Sequence, residues 1–395
     1  FGAIRALAVP TILPSLSPAK ATGFTDMVLE RAASTNAKAL VTDSPSSNDV
    51  GDRLIVVDTP CDAPGSASRT AGSWRSVAYL QFTGGTTGSA KAIALTHRTI
   101  IEYVRRTART LSITAEDRTV GWLPLHHDMG LVTQVLTPLL TGGSATIIAP
   151  AHWIRQPEVL FRAISDDRGT ITWMPNFAFR HCVRRIRPEQ LTGIDLSTWR
   201  IFGSGSEPVQ AAALEEFWTA YGPLGLGPAA SVVGYGSAEH VAGVSLTPPG
   251  APPLIDWVSK PALGREGRAV ASDPGAEGSI PIVSCGYPKE GVTVQVVGDD
   301  EKPLEDRRLG EIRIRSDLLF TGYVGQQELT RQVIRDGWFY TGDLGYLVAG
   351  QLYVCGRKSD VLIIGGKTIH PHHIEEIVLQ QMGEQARLAV AFGIS

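Results

Sequence analysis

YLQFTGGTTGSAKAIALTH, residues 79–97, is the stretch on which the reading of this chain turns. An apolar run ending at Phe82 breaks into Thr83, Gly84, Gly85, Thr86, Thr87, Gly88, Ser89, Ala90 and Lys91. A second apolar run then leads to Thr96 and His97. Glycine frees the backbone for unusual dihedrals and close approach to a ligand. Hydroxyls interleaved with exposed N–H groups and closed by a lysine suit a polyphosphate. The Walker loop requires Gly-Lys directly before a helix, whereas Ser89-Ala90 separates Gly88 from Lys91 here. The other reading of the same residues is a Gly/Thr-rich turn in a surface hairpin.

The rest of the composition narrows the choice. A chain of 395 residues has room for two or three domains with buried cores. Its 43% hydrophobic and 19% charged content is ordinary for a globular protein. The net charge of −3 offers no basic field, so neither nucleic acid nor an anionic membrane is an expected partner. The four cysteines, Cys61, Cys182, Cys285 and Cys355, are far apart and form no CxxC pair. That argues against a disulfide framework or thiolate metal site and suits a reducing cytoplasm. No apolar run approaches the roughly 18 residues that a membrane span needs. The apolar start, with its prolines and no basic leader, reads as a core element cut into from upstream, so the chain is expected to begin inside a domain.

Along the chain, helical and β-like apolar runs alternate, the mark of an α/β layer. Before the glycine loop these are a helix over 24–33 and strands near 39–41 and 54–57, followed by a loop over 60–73. After it come a helix over 99–111 with Arg105, Arg106 and Arg109 outward, and strands over 120–125, 144–148, 170–174 and 200–202. Helices are expected over 157–165 and 175–187. Residues 248–288 are rich in Pro, Gly and Ala and read as an irregular insertion, and 289–355 as a small β-barrel or sheet in which Tyr340–Asp343 lies between strands over 311–315 and 351–355. Gly356 and Arg357 open a hinge into a βα unit ending in a helix over 371–381.

Several motifs in this order resemble the adenylate-forming superfamily of acyl-CoA synthetases, peptide-synthetase adenylation domains and luciferases. They are the loop from Thr83 to Lys91, the element Tyr235-Gly236-x-x-Glu239, Tyr340-Thr341-Gly342-Asp343, and Gly356-Arg357. Each string alone is weakly specific; four in sequence make a strong signal. GWLPLHHDMGL at 121–131, PNFAFRHCVRRI at 175–186 and GSEPV at 205–209 resemble the fatty acyl-AMP ligases in particular. The resemblance implies an α/β fold: a large domain over 1–356, incomplete at its start, with two α/β sheet subdomains and a small β-barrel. A hinge and the incomplete beginning of a small α+β domain, 357–395, follow.

It also implies a reaction. A fatty acid's carboxylate attacks the α-phosphate of ATP, releasing pyrophosphate, and the acyl group then passes to a carrier-protein phosphopantetheine thiol. Two anions must meet, so phosphate charge has to be neutralised. Thr83, Thr86, Thr87 and Lys91, with the N–H groups of Gly84, Gly85 and Gly88, would hold the phosphates, and Glu239 would hold Mg2+. Gly205, Ser206, Glu207, Tyr235 and Gly236 would wall the adenine, and Asp343 and Arg357 would hold the ribose. His127 would sit by the substrate carboxylate, its role packing and electrostatics, since that carboxylate is already ionised. A metal reading of His126, His127 and Asp128 has no further ligand cluster behind it, and His370, His372 and His373 read as a polar helix entry. Trp173, Met174, Phe177 and Phe179 read equally as acyl tunnel or as core.

Two residues depart from the family: Gly84 replaces a serine and Ala90 a proline, which loosens the loop without removing its charge. Ser359 stands where a second charged hinge residue is usual. The family's catalytic lysine beyond the hinge helix has no counterpart assigned in this sequence. An acyl-CoA synthetase, a degenerate nucleotide-binding or carrier-interaction module, and an amino-acid adenylation domain are the rival readings. The last is disfavoured because no acidic anchor for an ammonium group is apparent.

Overall fold

The computed structural model describes residues 91–360 without a break, together with 10–13, 30, 31, 35, 40–42, 54–56, 73–83, 362–364, 367–369, 374, 378, 381 and 382. Near the start, β1 (Leu40–Thr42) and β2 (Leu54–Val56) pair in parallel. The opening stretch then folds as an antiparallel hairpin of β3 (Val77–Phe82) and β4 (Ala92–Thr96), with Phe82 opposite Ala92. Helix α1 (His97–Leu111) follows at once, because the Thr96 side chain accepts from the Thr99 N–H and caps it. Its buried residues Thr99, Ile100, Tyr103, Val104, Thr107 and Leu111 form one stripe at helical spacing.

Seven strands make the main sheet. Strands β5 (Arg118–Gly121), β6 (Ser144–Ile147), β7 (Ile171–Trp173), β8 (Ile201–Ser204) and β9 (Ser231–Gly236) run parallel in the spatial order 9-8-7-5-6. β10 (Gly243–Leu246) continues the sheet antiparallel to β9. Helices α2 (Glu158–Asp167), α3 (Phe177–Arg185) and α4 (Ala211–Tyr221) are the crossovers, and Phe161, Phe179, Trp199, Phe202 and Phe217 pack into an aromatic core. In open parallel sheets, ligands bind outside the carboxyl ends of the strands where their order reverses. The motif residues after β5, β8 and β9 all lie at that edge.

The remainder differs from expectation in three places. Residues 248–288 are not irregular: β11 (Ile255–Ser259) pairs antiparallel with β12 (Ser279–Val283), and a helix, Lys260–Glu266, lies between them. Strands this short, set among prolines and glycines, leave too few alternating residues to show a period. β13 (Tyr287–Pro288) then closes the main sheet. The second sheet contains β14 (Val292–Val297), β15 (Gly310–Ser316), β16 (Ile334–Arg335), β17 (Trp338–Val348) and β18 (Gln351–Arg357). Tyr340–Asp343 was expected between strands but lies within β17, where Gly342 takes a φ of +74°. Finally, Arg106 does not point outward. Its guanidinium grips Asp317 through two hydrogen bonds of 2.7 and 2.9 Å, and Arg109 reaches Glu290, so α1 is clamped to the β-rich part.

His240 is buried at the same junction. It lies edge-on to Tyr103, with its ring nitrogens 3.2 Å from the Gly243 carbonyl and 3.1 Å from Ser316 Oγ. Burial foremost, then Lys289 and Arg106, lowers its pKa to about 3, so the folded protein holds it neutral. The unfolded chain takes up the proton near pH 6.5, so stability is lost as pH falls below that value, by about 1.4 kcal/mol per unit. We expect the pH dependence of thermal unfolding between pH 6.5 and 5 to flatten in His240→Gln. An unchanged slope would show that other groups carry it.

Candidate active site

The hairpin β3–β4 delivers both ends of the glycine loop to one point. Thr83 N–H donates to the Lys91 carbonyl at 2.9 Å, and the Lys91 N–H is 3.4 Å from Thr83 Oγ1. Gly84, Gly85, Thr86, Thr87 and Gly88 lie outside the described residues. The hairpin is fastened to the β-rich part by a backbone bond from Val324 to Ala92 and a bridge between Ile93 and Tyr323. Lys91 Nζ stands 5.1 Å from the centroid of the Tyr323 ring. The Tyr323 hydroxyl donates to Glu239 Oε1 at 2.7 Å, while the Glu239 carbonyl accepts from Phe320 N–H at 2.8 Å. Thr83, Lys91 and Glu239, far apart in sequence, thus share one corner. Glu239 Oε2 has no hydrogen-bond partner among the described residues.

A second group surrounds a cavity of about 170 Å³ whose wall includes Ser206, Glu207, Tyr235, Gly236, Asp343 and Arg357. Gly236 is required there: a Cβ would come within 1.9 Å of the Ala242 carbonyl oxygen. Tyr235 OH donates to Asp343 Oδ2 at 2.6 Å, and Arg357 Nε lies 3.2 Å from Oδ1, across the β17–β18 ladder. Burial pushes the Asp343 carboxyl up, against the Tyr235 hydroxyl and Arg357, which lower it; Glu239 and Asp360 add to the rise. Burial and the same carboxylate raise the Tyr235 phenol, which therefore stays a donor. Glu207 belongs to the same wall, and its side chain supports a helix. Its Oε1 accepts from the Phe177 N–H at 2.9 Å and so satisfies the start of α3.

A smaller cavity, about 60 Å³, runs between α1 and the main sheet. Tyr103, Thr107, Asp128, Met129, Trp173 and Gly205 help to line it, and it shares Ser206 and Gly234–Gly236 with the first. Of the residues left open between tunnel and core, Trp173 lines this space, Met174 and Phe179 are core, and Phe177 is half exposed. His127 is at the neighbouring turn, its Nδ1 2.7 Å from Asp128 Oδ1, a contact that raises its pKa against the effect of burial. Gln81, which no motif marked, is buried in β3 and donates from Nε2 to the His126 carbonyl at 2.8 Å, tying this turn to the hairpin. Tyr323 is the other residue the sequence did not reveal. Both act through contacts between distant segments, and neither sits in a string that stands out. His370, His372 and His373 lie outside the described residues, and no cluster of three metal-ligating side chains occurs among those described.

The profile of AMP-binding enzymes matches residues 11–324. The chain belongs to that family. An AMP-binding enzyme named, provisionally, an acyl-CoA synthetase from Caulobacter vibrioides is 31% identical over 323 residues, which are 81% of this chain and 56% of that protein. The medium-chain-fatty-acid–[acyl-carrier-protein] ligase JamA of Moorena producens is 32% identical over 309 residues, 76% of this chain and 52% of its own. This chain therefore spans about half the length of the curated relatives it matches. The crystal structure of a fatty acyl-adenylate ligase from L. pneumophila, in complex with acyl adenylate and pyrophosphate, superposes with a TM-score of 0.85 at 27% identity. That match covers 100% of this chain and 71% of the other.

Replacing Tyr235 by Phe removes a donor from the buried Asp343 carboxylate and raises its pKa further. The variant should lose about 1–3 kcal/mol of stability at pH 7. The deficit should shrink as pH falls through the raised carboxyl pKa, where the charge that needed the donor disappears. Thermal unfolding at pH 7 and pH 4 checks this. A deficit independent of pH would leave only packing to the hydroxyl.

Proposed function

We propose that this chain is the nucleotide- and acyl-binding part of a fatty acyl-AMP ligase. A carboxylate oxygen of a fatty acid forms a bond to the α-phosphorus of ATP as the bond to the bridging oxygen breaks, and pyrophosphate leaves. The thiolate of a carrier protein's phosphopantetheine then attacks the acyl carbonyl and AMP departs. The observation that carries this reading is the shared wall at Ser206 and Gly234–Gly236. A nucleotide in the larger cavity and an acyl chain in the smaller one would bring their reacting ends together there.

Roles follow from position. Thr83, Lys91 and the loop from Gly84 to Gly88, with Thr86 and Thr87, take the β- and γ-phosphates. Lys91 offsets their charge close to Glu239. The Gly205–Glu207 backbone, Tyr235 and Gly236 wall the adenine, and Asp343 and Arg357 face the ribose hydroxyls. His127, its pKa raised beside Asp128, would stand where carboxylate and α-phosphate meet. Mg2+ needs only one or two protein carboxylates when phosphates complete its shell, and Glu239, with Oε2 unengaged, fits that demand. When held by Glu239, the ion would neutralise phosphate charge. Cys182, Cys285 and Cys355 are free thiols, in keeping with a cytoplasmic setting, and no helix among the described residues is long and apolar enough to cross a membrane.

The name of the Caulobacter relative favours coenzyme A as a second acceptor reading. Pyrophosphate release over a panel of fatty, aryl and amino acids, followed by acyl transfer to holo carrier protein or to coenzyme A, separates the two. We expect fatty acids to turn over and the acyl group to reach the carrier protein. Fast acyl-CoA formation would overturn that acceptor, and absence of adenylate with every acid would leave a binding module. Glu239→Gln should lower magnesium-dependent pyrophosphate release by about 100-fold with the melting temperature unchanged. Full activity in that variant would remove Glu239 from the site.

A further inference from the structure

Lys289 lies just after β13 and is 5% exposed, yet no carboxylate pairs with it among the described residues. Its Nζ sits 3.5 Å from the centroid of the Tyr103 ring and donates to Thr107 Oγ1 at 2.9 Å. A buried amine with a single hydroxyl partner is costly to keep for packing alone. Its neighbours explain what it does. Tyr103 and Thr107 are one turn apart on the same face of α1, and both line the smaller cavity.

The hydrogen bonds around these hydroxyls all run one way. Thr107 accepts from Lys289, whose Nζ also lies over the Tyr103 ring. The Tyr103 oxygen accepts from the Gly243 N–H at 2.6 Å. With its oxygen already accepting, the phenol has its proton to offer, and no hydrogen bond to a described residue takes it. Tyr79, buried in β3 and within the electrostatic reach of Tyr103 and Asp128, also has a hydroxyl with no partner. Two other polar groups of this wall are spent: the Thr133 hydroxyl donates to the Met129 carbonyl, and Asp128 is engaged by His127 and the Met129 N–H. Tyr103 and Thr107 thus form part of the wall that a chain entering this cavity would meet.

We propose that this cavity selects an acid whose chain carries an oxygen acceptor, a keto, ether or hydroxyl group, which takes the Tyr103 proton. Lys289 is a positioning residue, holding the Tyr103 ring from its face. The inference rests on the acyl-adenylating reading and narrows its substrate class. A plain alkyl chain would press methylenes against an unpaired donor, and sites built to hydrogen-bond a substrate oxygen reject its deoxy analogue strongly.

The test titrates the full chain, with ATP present, with octanoate and a set of octanoates each bearing one keto or hydroxyl group at a successive carbon. Binding is read by calorimetry and turnover by pyrophosphate release. We expect at least one oxygenated acid to bind about tenfold more tightly than octanoate. Tyr103→Phe should bring that ratio close to one, and Lys289→Met should lower it with Tyr103 intact. A merely structural role for Lys289 would weaken both acids alike and leave the ratio unchanged, overturning its part. Thr107→Val is near-isosteric and removes the hydroxyl that holds Lys289 over the Tyr103 ring, so it tests the same positioning if Lys289→Met fails to fold. Octanoate bound and turned over as well as every oxygenated analogue would overturn the inference and leave the fatty acyl reading standing. If none of the acids binds, the fatty acyl reading falls and the inference with it.

Discussion

Asp343 is a carboxylate taken almost wholly out of water, and it needs donors to stay there. It finds them in Tyr235, from the end of the main sheet, and Arg357, from the neighbouring strand of the second sheet. The 2.6 Å bond spans 108 positions of sequence and joins two sheets that share no strand. The pocket exists because of this join: one wall comes from the ends of β8 and β9, the other from β17 and β18. A buried, hydrogen-bonded carboxylate of this kind is strained between desolvation and its partners, and such tension is common where a site must also accept ligand hydroxyls.

The same junction is fastened at two further levels. Arg106 and Arg109 hold α1 to Asp317 and Glu290 at the surface. These ion pairs are partly screened by water and contribute modestly one by one. Deeper in, Tyr323 and the backbone of Phe320 hold Glu239, and the hairpin bridge at Ile93 holds Lys91 close by. The corner shared by Thr83, Lys91 and Glu239 is therefore built from separate segments.

The hairpin also dissolves the choice first posed by its sequence. A Gly/Thr-rich turn and a phosphate cradle were rival readings of Thr83–Lys91, yet the flanking strands do pair as a hairpin, and that hairpin is what brings Lys91 to Glu239. Elsewhere local pattern was enough. Val292–Val297 alternates cleanly, and α1 shows its buried stripe in the order of its residues. Pattern failed where an element was too short or was interrupted. Ile255–Ser259 is five residues among prolines, and the Tyr340–Asp343 motif hid its strand because Gly342 breaks the alternation.

What the residues determined on their own was the α/β alternation, the motif order and the chemical types needed at a polyphosphate site, since periodicity and glycine placement are local properties. Only the tertiary structure decided that Glu207 caps a helix instead of facing a ligand with its carboxylate, or that Gln81 supports the His126 turn. The cavity between α1 and the main sheet, with Lys289 behind its wall, was likewise invisible. Tyr103 and Lys289 carry no mark of their relation in sequence; burial and a contact between amine and ring face link them once β13 folds back beside α1. Burial and contact are properties of three-dimensional neighbours, and no local spacing encodes them.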